Sequence, residues 1–382
     1  MQNSRDPFQL TRFFDKFRNT LSYQKRDKSP LFSEREKGLG DELGILIACS
    51  GGIDSLALLY AMAELKDELN IRIGACYVDH KARTESVDEA KFVDKICQEL
   101  QVTFFSGAFD DNFWSDTKNN FEERARNERY RILENIAIDN NFSYIATAHH
   151  LDDQVETILM RILERGTGLK GLCGIKPVVT HPLPLSSQKR GENAPLLSLG
   201  EKGLGDELKT VTIIRPLLDV SKSEIAEYMA DRQYLSDHTN NDTAYRRNHY
   251  RKVVIPSLKG ALPDVDIAGH LSVLAQNAQR EREVMEELMR EFWCSVGVDP
   301  CINPKKGENM VSPLHITRTL IKAHSDNFWM TAFSYLFAEY HGFSHSTQTL
   351  KDIVAFIRKT DPGTASYNPY IFQRNRDGVR IC

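Results

Sequence analysis

The sequence predicts an α/β protein: a Rossmann-like parallel sheet with a phosphate-binding loop, followed by a helical domain and a small mixed C-terminal domain. Three observations predict it. Short apolar runs alternate with amphipathic stretches from residue 44 to about 180, the pattern of βαβ units with helices on both faces of a sheet. A Gly-rich turn, Ser50-Gly51-Gly52-Ile53-Asp54-Ser55, joins the first apolar run to the first amphipathic stretch. After about residue 216 strand signals thin out and helical periodicity takes over.

The elements follow in order. Gly44–Cys49 (GILIAC) reads as a buried strand, Ser55–Lys66 as a helix with Leu56, Leu59 and Ala63 on one face, and Ile71–Val78 as a second strand. Thr84–Leu100 is helical, because Val87, Ala90, Val93, Cys97 and Leu100 recur at helical spacing. Val102–Phe105 is a short strand, Asn120–Asn140 a helix, Tyr144–Ala148 a strand and Asp152–Glu164 a helix. Ser221–Tyr234, Tyr245–Leu258 and Ile267–Trp293 are helical, and 311–382 is mixed. The expected domains are 1–218, 219–300 and 301–382.

Composition narrows the class. The 382 residues are 41% hydrophobic and 27% charged, an ordinary globular profile that excludes collagen, wholesale disorder and a membrane bundle. Lys and Arg number 49 against 53 Asp and Glu, for a net charge of −4, which argues against a uniformly basic coat for nucleic acid. The seven cysteines are scattered with no Cys-x-x-Cys pair, which argues against a zinc ribbon, a ligated iron–sulfur cluster or a secreted disulfide framework. The start of the chain has no apolar signal-like core, and no run nears the ~18–20 apolar residues of a membrane span, so a cytoplasmic location is expected.

One internal repeat stands apart. Gln24–Leu43 resembles Gln188–Leu208, and EKGLGDEL is identical at Glu36–Leu43 and Glu201–Leu208. Both copies are polar and Gly-rich, without helix or strand periodicity. They read as one inserted element placed twice in surface loops, where insertion costs little; a paired binding loop is the alternative.

The loop at Ser50–Ser55 carries the strongest chemical signal. A strand feeding a Gly-rich turn into a helix N-terminus aims backbone N–H groups and the positive helix end at an anion. Gly51 and Gly52 permit close backbone approach, and the Ser50 and Ser55 hydroxyls are donors. Asp54 beside phosphate makes sense with a divalent cation or as an N-terminal helix charge. A plain capped turn is the bland alternative. No Gly-Lys dipeptide occurs, so the lysine of a Walker loop is missing. Gly166-Thr167-Gly168-Leu169-Lys170-Gly171 follows a helix, not a strand, and is discounted as a dinucleotide fingerprint.

Further blocks accompany the loop: Val78-Asp79-His80-Lys81-Ala82-Arg83, the run Asn120–Tyr130, His149-His150-Leu151-Asp152-Asp153-Gln154-Val155-Glu156-Thr157, Arg215-Pro216-Leu217-Leu218, and Asn241–Asn248 with Arg251 and Pro256. His80, His150, Asp152 and Asp153 sit at strand ends and converge above the sheet near the loop. Asp153 and Glu156 also read as a capping box with Asp at the cap. Arg126 and Arg129 share a helix face, suited to phosphate or to a salt-bridged surface with Glu122, Glu123 and Glu128. Arg246, Arg247, Arg251 and Lys252, interleaved with Tyr245, His249 and Tyr250, suit an RNA backbone or an ordinary amphipathic surface. Arg374, Arg376 and Arg380 form a weaker cluster of that type. Cys49 and Cys173 read as small buried thiols.

Together the SGGxDS loop and these blocks, over about 44–258, resemble the tRNA(Ile)-lysidine synthetase family within the PP-loop ATP-pyrophosphatase superfamily. The resemblance implies ATP with Mg²⁺, a tRNA(Ile) carrying a CAU anticodon and free lysine as partners. It implies adenylation of the anticodon cytidine at its C2 oxygen, then attack by lysine to give lysidine, AMP and pyrophosphate. It implies nucleotide binding by Ser50, Gly51, Gly52, Ile53, Asp54 and Ser55, and metal contacts by Asp54 and Asp153. Catalysis is expected of Asp54, Arg126 (favoured over Arg129), His150, Asp152 and Asp153, and tRNA contact of Arg246, Arg247, Arg251 and Lys252. Which carboxylate or histidine acts as base stays open, as does oligomeric state, a homodimer included. A PP-loop tRNA thiolase is the runner-up, weakened by the missing cysteine pair. A non-catalytic RNA-binding protein with a vestigial loop is the alternative from another class.

Overall fold

The five strands that build the site are parallel because each returns through a helix. β1 (Leu43–Ala48) leads into α1 (Ile53–Leu69), β2 (Ile71–Asp79) into α2 (Ser86–Glu99), and β3 (Thr103–Ala108) into α3 (Phe121–Asp139). β4 (Tyr144–Ala146) leads into α4 (Leu151–Arg165), a single helical turn at Leu169–Leu172 follows, and β5 (Val178–His181) and β6 (Val211–Ile214) complete the sheet. This is a computed structural model, and it describes residues 11–18, 20, 43–81, 86–110, 113–115, 121–181, 211–235, 246–296, 314–341, 346–367 and 370–381. Apart from Leu43, both copies of the repeat lie outside the described residues, as do Ala82, Arg83, Asn120 and Asn241–Tyr245.

The sheet order is β3-β2-β1-β4-β6-β5. β1 is the hinge of the topology: Ile45 pairs with Ile73 of β2 on one side and Tyr144 of β4 on the other, both in parallel. The chain winds outward to β3 and then returns to the far side of β1, so a crevice opens between the carboxyl ends of β1 and β4. Ile45, Leu46 and Ile47 are fully enclosed, as a central strand covered on both faces requires. The sheet departs from the expected all-parallel form at one edge, where β5 pairs antiparallel with β6. β5 follows α4 after residues 166–177.

The chain divides into two units, Met1–Gln276 and Asn277–Cys382, and the division falls inside α6 (Ile267–Ser295). Boundaries near 218 and 300 do not coincide with it. In the first unit, α5 (Lys222–Tyr228) packs on α1 with the helical residues 11–18: Tyr228 stacks on Phe13 at 4.3 Å and donates to Glu64 at 3.0 Å. α5 is shorter than the helix expected over Ser221–Tyr234. It opens on a capping box in which Ser221 and Glu224 satisfy each other's backbone N–H groups. Residues 246–261 form one helical run whose middle, Tyr250–Val254, widens to π geometry.

In the second unit a sheet of order β7-β10-β9-β8 is antiparallel throughout, built from β7 (Leu314–Thr317), β8 (Gly363–Tyr367), β9 (Tyr370–Arg374) and β10 (Gly378–Ile381). It packs with α7 (Asp326–His341) and α8 (Thr347–Arg358) around Trp293, Trp329, Phe333, Phe337 and Phe372. Of the basic cluster read near the chain end, Arg376 and Arg380 are exposed, and only Arg374 departs from that reading. Arg374 is buried, donates to the Phe356 carbonyl at 2.7 Å and to the Asp361 carbonyl, and lies over the Phe356 ring. It ties a turn together and does not face solvent. Among the described residues no helix is long and apolar enough to cross a membrane.

Candidate active site

The loop after β1 has the local geometry an anion site needs. Gly51 takes φ +81°, a left-handed conformation that favours glycine, and a Cβ there would stand 2.7 Å from Leu235 Cδ1. The Leu235 N–H donates to the Gly51 carbonyl at 2.9 Å, which fixes the turn from outside. Gly52 is the cap of α1 and places no side chain over the helix end, so the first N–H groups of α1 are not blocked by their own cap. The Ser55 hydroxyl takes the Ser50 N–H at 3.1 Å and donates to the Gly52 carbonyl at 2.9 Å. The second serine of the motif therefore braces the loop.

This loop forms one wall of a cleft of about 390 Å³, within the range of small-molecule sites. Asp54 and Cys49 line it from β1 and α1, Cys76 and His80 from β2, and Thr147, His149 and Asp153 from the end of β4 and the start of α4. Arg129 and Arg247 bring positive charge to it. On α3 the structure turns Arg129, rather than Arg126, into the lining; Arg126 is exposed and lies 5.6 Å from the centre of the Tyr130 ring. Residues three apart on a helix differ by about 60° in heading, and the roll of α3 on the sheet decides between them.

His150, next to the cleft-lining His149, lies among three carboxylates. It is buried, with Nε2 3.9 Å from Asp54 and 3.6 Å from Asp153, and Nδ1 3.8 Å from Asp152. Nδ1 has no hydrogen-bond partner among the described residues. His150 is also the cap of α4, with its N–H donated to Asp153 Oδ2 at 3.1 Å. The capping box read from sequence thus shifts: Asp153 is the third helical residue reaching back, not the cap. Glu156 is no part of it. Glu156 is fully buried and accepts from Arg247 Nε at 2.8 Å and Arg251 Nε at 2.5 Å, and the same two guanidinium groups reach Asp153 at 3.1 and 3.3 Å. The widened turn at Tyr250–Val254 carries Arg251 into this contact. Arg246 pairs with Glu164 at 3.2 Å, and Lys252 is exposed.

These contacts set the protonation states. Burial alone would push the Asp153 carboxyl up, but His150, Arg247 and the His150 backbone N–H outweigh it and hold it below the ordinary value. Burial, then Arg215, pushes His149 down to about 3, so its imidazole is neutral and shares a hydrogen bond with Thr147 at 3.0 Å. Burial and Arg129 also lower His80, which stacks on Phe109 at 4.7 Å. Burial raises the thiols of Cys49 and Cys76 to about 11 and 12, so both stay protonated.

Lys222 is the site residue that sequence reasoning missed. Its Nζ bonds Asp54, and its backbone N–H donates to Asp152 at 2.8 Å. The only local signal was the Ser221-x-x-Glu224 capping pattern that places Lys222 first in its helix. Among the described residues no group of three or more His, Cys, Asp or Glu is arranged to hold a metal ion. A Mg²⁺ held mostly by nucleotide phosphates needs only one or two carboxylates. Asp54, on the cleft wall, fits that demand. Asp153 fits it poorly, because both of its oxygens already accept hydrogen bonds.

A tRNA(Ile)-lysidine synthase of Thermotoga sp. is 32% identical over 284 residues, 73% of this chain and 60% of that protein. The enzyme of that name from Pseudothermotoga lettingae is 35% identical over 256 residues, 65% of this chain and 50% of that one. This chain therefore matches about half to three-fifths of the length of these relatives. Among solved structures, the U34-tRNA thiolase NcsA of Methanococcus maripaludis is similar at TM-score 0.48 and 18% identity, over 71% of this chain and 80% of that one; a likeness at that level says nothing of chemistry. The PP-loop domain matches residues 29–258, from before β1 to the helical run that carries Arg247 and Arg251, and the chain belongs to this family.

Proposed function

We propose that the protein ligates lysine to C2 of the anticodon cytidine of a tRNA(Ile) with a CAU anticodon, at the expense of ATP. The observation that supports this most directly is the meeting, in one cleft, of an uncapped helix N-terminus with a carboxylate and imidazole cluster. The names of the relatives supply the substrate class.

In the first step the cytidine C2 oxygen attacks the α-phosphorus of ATP and pyrophosphate leaves. The amides of Gly52–Asp54 and the Ser50 hydroxyl receive the charge that builds on the departing phosphates. Arg129, which lines the cleft where Arg126 does not, neutralises that charge. A bound Mg²⁺, held by Asp54 with the phosphates, would supply further charge stabilisation. In the second step the lysine ε-nitrogen attacks C2, the C2–O bond breaks, and the oxygen departs with AMP. The amine must first lose a proton. His150 with Asp54, Asp152 and Asp153 forms the set that accepts it. The protonated thiols of Cys49 and Cys76 are poor nucleophiles, which favours amine transfer over sulfur transfer. Contact with tRNA phosphates falls to Arg246 and Lys252. Arg247 and Arg251 hold Asp153 and Glu156 in place beneath them.

The test uses purified protein, ATP, Mg²⁺, labelled lysine and tRNA with a CAU anticodon. Label in the tRNA, with AMP and pyrophosphate released in step, is expected. Sulfur incorporation, or tRNA binding without ATP turnover, would replace this reading.

A further inference from the structure

The phosphate loop lacks the lysine of a Walker loop, yet its acidic residue carries one from another element. Lys222 Nζ is bonded to Asp54 Oδ1, and the two residues stand 168 positions apart in the chain. From this contact we infer that Lys222 is the phosphate-binding cation of the cleft, supplied by α5 in place of a lysine within the loop. The inference rests on the ATP reading above and assigns a residue within that site.

Three features support it. First, the position of the side chain is set by its backbone. Ser221 and Glu224 cap α5, and the Lys222 N–H is held by Asp152, so the first residue of the helix is fixed at both ends of its turn. Second, the ammonium has N–H bonds left over for a ligand. Asp54 lines the cleft, and with Lys222 44% and Asp54 31% exposed the pair is not sealed in a core. An ammonium has three N–H bonds and the contact with Asp54 uses one. Third, a pair of this kind adds little to stability at such exposure. Four of the other charged side chains at this end of the sheet, Arg247, Arg251, Asp153 and Glu156, are tied to one another around the buried Glu156, each arginine shared between two carboxylates, and Lys222 stands outside that network. An ammonium beside a helix N-terminus is repelled by that end. Asp54, in the first turn of that helix, offsets this repulsion, and a phosphate chain on the Ser50–Ser55 amides would add a second anion within the cleft. Asp54 holds the ammonium there at the cost of one carboxylate contact.

The experiment compares wild type with Lys222→Met and Lys222→Arg, using the full chain. Binding of ATP, inorganic pyrophosphate and adenosine is measured by calorimetry, with thermal melting as a check on folding. Lys222→Met is expected to weaken ATP and pyrophosphate about tenfold or more and to leave adenosine unchanged; Lys222→Arg recovers most of the loss. A melting midpoint within about two degrees of wild type is expected, since the pair is partly exposed. Equal binding of ATP and pyrophosphate by Lys222→Met and wild type would overturn the inference. So would an equal loss for adenosine, which would mark a general disturbance of the cleft. Wild type that binds neither ATP nor pyrophosphate would instead overturn the ATP reading itself.

Discussion

The two units bury polar groups in opposite ways. In the first, Ser55, Thr147, His150 and Glu156 are all buried around the carboxyl ends of β1 and β4. His150 keeps an unpartnered nitrogen there, and Glu156 takes two arginines. In the second unit the large buried side chains are aromatic, and the indole N–H groups of Trp293 and Trp329 end on backbone carbonyls at 2.9 and 3.2 Å. Arg374 is buried there as well, and its guanidinium is spent on carbonyls. A buried ion whose partners are carbonyls of its own fold stabilises that fold. A buried carboxylate answered by half-exposed arginines beside a cleft is poised to answer a ligand.

Breaking each arrangement tests the contrast. The largest effect is expected from Asp54→Asn: AMP and pyrophosphate release falls by about 10²–10³-fold while the unfolding midpoint hardly moves. Unchanged turnover would remove the cleft from the reaction. Replacing Arg247 and Arg251 together by Ala leaves Glu156 buried without a cation. It should cost about 3–5 kcal/mol in urea unfolding. Trp329→Ala in the second unit should cost a similar ~3–5 kcal/mol by opening a cavity. It should leave ATP affinity intact below the transition, and a large loss of ATP affinity would erase the proposed distinction between the units. Gly51→Ala is milder, at about 1–3 kcal/mol, because of its positive φ and the approach to Leu235. It should raise the KM for ATP.

A further test lies in pH. His149 has its pKa depressed from 6.5 to about 3 in the folded protein. The unfolded chain therefore binds the extra proton first. The stability that His149 contributes is complete above pH 6.5 and declines as pH falls towards 3. His149→Gln should flatten the urea midpoint over that window; an unchanged slope would show that other groups govern it.

Much of the site was legible because its chemistry is local. Gly51 and Gly52 announce a turn with unusual backbone, and the apolar run before them announces a buried strand; neither needs distant residues. The pair His150 and Asp153 was legible for the same reason, although the cap fell one turn edge earlier than Asp153 itself. Lys222 was invisible, since nothing near it in sequence points to Asp54. Arg126 and Arg129 were indistinguishable until the roll of α3 was known. The basic look of Arg374 misled, because composition does not tell whether a guanidinium ends on water or on carbonyls.

The sequence by itself determined the βαβ order, the phosphate loop and the set of ionisable groups gathered at strand ends, since periodicity and turn chemistry act over a few residues. Tertiary structure alone decided how those charges pair. Asp54 with Lys222, and Glu156 with Arg247 and Arg251, join residues 168, 91 and 95 positions apart. Their partnership is fixed by the crevice between β1 and β4 and by the helices folded back over it. Coulomb attraction at that range acts only after the sheet has brought the elements together.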